Sequence, residues 1–256
     1  MTVPAEVAAI TSQYLELIDK TRPGLVRGFY LTGSIPLGDY SPGRSDIDGV
    51  VVVSEPVTDP EVVRAVHAKL PERPYFDVTY LTASALAAEP DRSTPVVYTI
   101  DGQFQDPAAA GSVTPVLWSE LARQSIAVRA VDGLVVHDDH EALVDHTRDN
   151  LTSYWVPMLD RLDRAMTDRP VDQPLDGRIV SWVVLGISRL HALLATGNII
   201  SKTAAGEHAR ARFPAYSALC TQAITHRAGH GIPLTSTDGT QTVAFGRAVI
   251  TSAQHL

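Results

Sequence analysis

Apolar residues recur along this chain with two different periods, and the change between them divides the sequence. In residues 4–20, Val7, Ile10, Tyr14, Leu17 and Ile18 stand at helical spacing, and the turn-forming stretch 21–24 closes the pattern. Three strand-like runs follow, at 25–32, 47–54 and 75–81. The middle run carries four consecutive valines at 50–53, the composition of a strand covered on both faces. Residues 60–70 read as a helix, and a further strand or two is expected around 127–136. The order helix, strand, turn, strand, helix, strand describes a small mixed α/β unit whose first helix covers a sheet.

From about residue 141 the period becomes helical throughout, in 143–162, 178–196 and 202–212, with the stretch after Pro233 less regular. Segment 167–177, with two prolines and three aspartates, reads as an exposed loop, and 89–112 is similarly loop-rich. The fold class expected is therefore α+β: a mixed sheet with helices in residues 1–140, then an α-helical bundle in 141–256.

Composition narrows the partners. Hydrophobic residues make up 45% and charged residues 20%, enough apolar content for a folded chain. No apolar stretch approaches the roughly 20 residues of a membrane span, and residues 1–10 lack the basic start and apolar run of a signal peptide. A cytoplasmic monomer without a membrane partner is expected. The formal charge of −8 argues against a nucleic-acid partner and suits a cationic small molecule. Cys220, the single cysteine, lies in an apolar helical pattern and reads as a packing residue.

The chemistry concentrates in residues 31–53. Gly33 permits a turn and a close backbone approach to phosphate, and Ser34 adds a hydroxyl donor at the head of the next segment. Asp46 and Asp48 stand two apart at the start of the valine strand, so their side chains project to one face and can share divalent cations, while Ile47 points to the core. Such a pair can hold two Mg²⁺ ions roughly 3.5–4 Å apart. Asp77, on the next strand-like run, is the candidate third carboxylate, as metal ligand or as acceptor of a hydroxyl proton. The cluster His137-Asp138-Asp139-His140 is better explained by Asp138 or Asp139 capping a helix than by a metal, and His226 and His230 lack a third ligand nearby in the sequence.

Gly33-Ser34 followed by Ser45-Asp46-Ile47-Asp48 and the valine strand resembles the polymerase-β-like nucleotidyltransferase superfamily. The second half is similar to the helical domain of the streptomycin/spectinomycin adenylyltransferases: Ser188-Arg189-Leu190, then Thr196-Gly197, then Ile200-Ser201-Lys202 and a helix ending at Phe213-Pro214. The resemblance implies ATP as co-substrate, with Gly33, Ser34 and Ser45 at the triphosphate and Mg²⁺ on Asp46, Asp48 and Asp77. It also implies that Arg189 and Lys202 reach the nucleotide phosphates, and that Trp155, Asp160 and Asp176 face an aminoglycoside-like substrate.

The sequence departs from that pattern in places. Asp77 stands where the family has a glutamate, and Ile179 is nearer than Asp176 to the spacing of a drug-binding acid. The region of His226 and Arg227 replaces an expected aromatic nucleotide contact. The expected activity is Mg²⁺-dependent transfer of AMP from ATP to a hydroxyl of an aminoglycoside-like amine. A different metabolite or protein acceptor, and an inactive ATP-binding sensor, remain the alternatives.

Overall fold

The computed structural model describes residues 2–109 and 111–256. The chain falls into two compact units, Met1–Asp139 and His140–Leu256.

The first unit contains α1 (Ala5–Thr21), β1 (Val26–Leu31), β2 (Ile47–Val53), α2 (Glu61–His67), β3 (Phe76–Thr82), α3 (Ala83–Leu86), β4 (Thr99–Ile100), β5 (Gln103–Phe104), α4 (Pro115–Gln124) and β6 (Ile126–Arg129). A four-stranded mixed sheet has the order β3-β2-β1-β6. Strands β2 and β3 run parallel, and β1 is antiparallel to both β2 and β6. The valine run is central because successive residues serve opposite faces of the sheet. Val51 and Val53 pack with Tyr14 and Ile18 of α1 and with Phe29 and Phe76. Val50 and Val52 pack on the other side with Leu86, Trp118 and Leu121.

The second unit contains α5 (His140–Asn150), α6 (Val156–Thr167), β7 (Pro174–Leu175), α7 (Gly177–Thr196), α8 (Lys202–Arg212), α9 (Ser217–Arg227), β8 (Leu234–Thr235) and α10 (Ser236–Ala253). The apolar stripe of α7, including Val180, Val183, Val184 and Ile187, is buried in the unit's core beside Leu219, Phe245 and Val249. Helix α7 is long and apolar enough to cross a membrane, contrary to the sequence expectation, but half of that stretch is buried within the unit. It packs as a core helix, with Gly197 ending it in the left-handed conformation.

Several elements depart from the sequence reading. Residues 143–162 do not form one helix: a π-helical turn at Leu151–Trp155 separates α5 from α6. The loop-rich segment 89–112 contains the β4–β5 hairpin, and α4 follows it with Pro115 in its first turn and the Thr114 hydroxyl accepting from the Leu117 N–H at 3.3 Å. The stretch after Pro233 is an ordered helix, α10, begun by a reciprocal capping box between Thr235 and Asp238.

Candidate active site

The parallel pairing of β2 with β3 brings the carboxylates to one end of the sheet. Asp48 and Asp77 are directly opposed in register, and the Ile47 N–H donates to the Tyr75 carbonyl at 2.8 Å to start the pairing. Asp46, immediately before β2, and Asp77 are half-buried, whereas Ile47 between Asp46 and Asp48 is fully buried. One carboxylate oxygen each from Asp46, Asp77 and Asp101 lies within 4.8 Å of the others. An all-carboxylate donor set of this kind fits a hard divalent cation such as Mg²⁺.

Asp101 is the member that the sequence reading missed. It stands with Gly102 in the two-residue connection of the β4–β5 hairpin, where both residues have positive φ, 51° and 70°. An Asp-Gly pair suits a connection of this geometry, so the signal was present in a segment taken as loop. The same turn grips Asp77: the Asp101 N–H donates to Asp77 Oδ2 and the Gly102 N–H to Oδ1, both at 2.8 Å. Burial pushes the Asp77 pKa up from the ordinary carboxylate value, and the Gly102 and Asp101 amides act against that rise.

Asp48, opposite Asp77 in the register, also lies against the glycine of the preceding loop. Gly33 has φ +64°, and a Cβ placed there would overlap Asp48 Oδ2. Backbone conformation and the approach of Asp48 therefore both require glycine at this position. The Thr32 N–H also donates to the Asp48 carbonyl at 2.9 Å, tying the loop's start to β2. Next to Gly33, the Ser34 hydroxyl oxygen is buried and has no hydrogen-bond partner among the described residues. An orphaned buried hydroxyl is costly unless a ligand completes it. Ser45 differs, because its buried hydroxyl accepts from the Ser41 N–H at 3.0 Å and closes the 41–45 turn.

In the second unit, Arg189 Nε donates to the Ile200 carbonyl at 3.1 Å, and Lys202 opens α8 just after the Ser201 cap. The candidate substrate residues differ in exposure. Trp155 is only 4% exposed, within the core cluster, and its ring fills the space that a Cβ on Gly186 would take. Trp182 packs against Trp155 in a tilted arrangement with ring centroids 5.1 Å apart and is itself 39% exposed, beside the exposed Tyr154. Asp160 pairs with Arg247 at 3.3 Å, and Asp176 caps α7 while holding the Arg178 guanidinium.

The remaining sequence candidates have the following surroundings. Asp138 takes the Arg123 guanidinium at 2.6 Å, and Cys220 is buried, with burial pushing its thiol up to about 11. His226 lies on α9 against Gly177, and His230 is exposed beyond that helix. Among the described residues, the Asp46, Asp77 and Asp101 cluster is the group with metal-ligand geometry.

Comparison with known proteins bears on the fold. Residues 13–87, which hold the Gly-Ser loop and the aspartates of β2 and β3, match the family model of the nucleotidyltransferase domain. The chain has the nucleotidyltransferase fold seen in the crystal structure of spectinomycin adenyltransferase AAD(9) from Enterococcus faecialis with ATP and spectinomycin. That likeness has a TM-score of 0.64 at 15% sequence identity, over 95% of this chain and 98% of the other. None of the curated proteins matches the sequence.

Proposed function

We propose that this chain is a divalent-metal-dependent adenylyltransferase that moves AMP from ATP to a hydroxyl of a small, hydroxylated, cationic acceptor. The observation that carries the reading is the convergence of carboxylates at the end of β2 and β3, beside a Gly-Ser loop with an orphaned hydroxyl, in a nucleotidyltransferase fold. Asp46, Asp48 and Asp77, with Asp101 from the hairpin turn, are the residues that would hold Mg²⁺, which when bound would neutralise charge on the triphosphate and ease ionisation of the acceptor hydroxyl.

The chain's own groups divide the remaining work. Gly33 leaves room for a phosphate to approach the backbone, and Ser34 supplies the donor that its buried oxygen lacks a partner for. Asp77 is the group proposed to take the proton of the attacking hydroxyl. As that oxygen bonds to the α-phosphorus, the bond from the α-phosphorus to the bridging oxygen breaks and pyrophosphate leaves. Arg189 and Lys202 are also proposed phosphate partners, by the resemblance of their sequence motifs, and their cationic groups would stabilise charge passing to the leaving group.

A second reading keeps this chemistry and changes the acceptor. It is favoured by the state of the drug-facing candidates: Trp155 is in the core, and Asp160 and Asp176 already hold arginines. The test is pyrophosphate release from ATP and Mg²⁺ over a panel of aminoglycosides and other hydroxylated amines. Release with an aminoglycoside supports the first reading, and release only with another acceptor supports the second. ATP binding without release for any acceptor would instead indicate a sensor.

A further inference from the structure

The β4–β5 hairpin is attached to β3 on both sides of Asp77. At its base, the Thr99 hydroxyl accepts from the Val78 N–H at 2.9 Å and donates to the Phe76 carbonyl at 2.9 Å. These are the backbone groups of the two residues that flank Asp77, and Thr99 is only 4% exposed. At its tip, the Asp101 and Gly102 N–H groups each hold one oxygen of the Asp77 carboxylate at 2.8 Å.

The tip is itself seated from below. A Cβ on Gly102 would lie 2.9 Å from Tyr75 Cδ1, so the turn rests against the Tyr75 ring. The Arg73 guanidinium covers that ring 3.5 Å from its centroid and donates to its hydroxyl at 2.7 Å. The Tyr75 carbonyl meanwhile receives the N–H of Ile47, the residue between Asp46 and Asp48.

We propose that this hairpin is a positioning element for the metal-binding carboxylates: Thr99, Gly102 and Tyr75 fix the direction of Asp77 without touching the cation. The reasoning is geometric. An aspartate has a short side chain with two rotatable bonds, and a carboxylate free to turn would offer a cation many unproductive orientations. Two amides in a fixed turn select one orientation, and the Thr99 hydroxyl locks the turn to the strand that carries the carboxylate. Outer partners of metal ligands act in this way, and their loss typically weakens metal affinity by about 10–100-fold.

The inference rests on the reading of Asp46 and Asp77 as metal ligands, and direct Mn²⁺ binding to the full chain separates the two. Wild type, Asp46→Asn, Thr99→Val, Thr99→Ser and Gly102→Ala would be titrated with Mn²⁺ alone, with circular dichroism confirming that each is folded. Thr99→Val removes the hydroxyl at nearly constant volume, Thr99→Ser retains it, and Gly102→Ala lifts the turn off Tyr75 by an independent route. The expected result is Mn²⁺ affinity weakened by roughly 10–100-fold in Thr99→Val and Gly102→Ala, with Thr99→Ser within about threefold of wild type. Wild-type affinity in both folded variants, whatever their stability, overturns the positioning role while leaving the metal site standing. Wild-type affinity in Asp46→Asn, or no Mn²⁺ binding by the wild type, overturns the metal site and the positioning role together.

Discussion

Replacing Gly33 by alanine tests the phosphate loop most sharply, because Gly43 provides an internal control. Both glycines have positive φ, +64° and +73°, so an alanine at either carries the left-handed penalty of about 1–2 kcal/mol. They differ in what a new Cβ would meet. At Gly43 it meets nothing within 4 Å, whereas at Gly33 it overlaps Asp48 Oδ2 and lies 3.0 Å from Asp48 Cγ and 3.1 Å from Cβ. Ordinary van der Waals contact then requires the Asp48 carboxylate to move by roughly 1 Å, a misplacement that can cost about 100-fold in rate. That factor corresponds to about 2.7 kcal/mol of transition-state stabilisation. Urea unfolding should show both variants destabilised by similar backbone terms. Acceptor-dependent pyrophosphate release should fall about 100-fold in Gly33→Ala and stay within about threefold in Gly43→Ala. Equal activities in the two variants would refute the reasoning that Asp48 must stand where Gly33 lets it.

Other residues give separable outcomes. Trp155→Ala should destabilise the second unit by about 3–5 kcal/mol, as expected for a large core aromatic, while Trp182→Ala should cost far less; unfolding curves decide, and a fully stable Trp155→Ala that fails only with acceptor would restore Trp155 to the substrate surface. Asp160→Asn should change stability by no more than about 1 kcal/mol, because its pair with Arg247 is roughly half exposed and screened, and melting in low and high salt checks this. Burial pushes the His67 pKa down to about 4 from 6.5, so between these values the unfolded chain binds more protons than the folded one. Stability of the first unit should therefore fall as pH drops through that window, by up to about 3 kcal/mol from this group. Urea titrations at pH 7 and pH 4 would show a smaller loss in His67→Gln, and an identical loss would remove His67 from the account.

The positions of most elements could be read from the sequence, because their physical signals are local. The valine run announces a strand buried on both faces, and the spacing of Val7, Ile10, Tyr14 and Ile18 announces the helix that covers it. Asp77 could be placed beside β2 because neighbouring strands tend to pair, and the register sets it opposite Asp48. Asp101 was missed for a different reason. Its strands are two residues each, too short for periodicity, and only the Asp-Gly pair marks the turn that carries it to Asp46. The substrate candidates were harder still, because a lone aromatic such as Trp155 serves a core and a binding surface equally well by residue type. The core takes the ring of Trp155 while Trp182, one α7 turn before Gly186, remains in contact with solvent. Asp176 has a different use, as the cap of a helix beginning at Gly177.

The most direct test of the central claim is acceptor-dependent pyrophosphate release from ATP in the presence of Mg²⁺, measured for the wild type and for Asp46→Asn. The account predicts turnover by the wild type that requires both the cation and an acceptor hydroxyl, and its loss in a folded Asp46→Asn protein. Full activity in Asp46→Asn, or wild-type turnover that persists after the divalent cation is chelated, would contradict it.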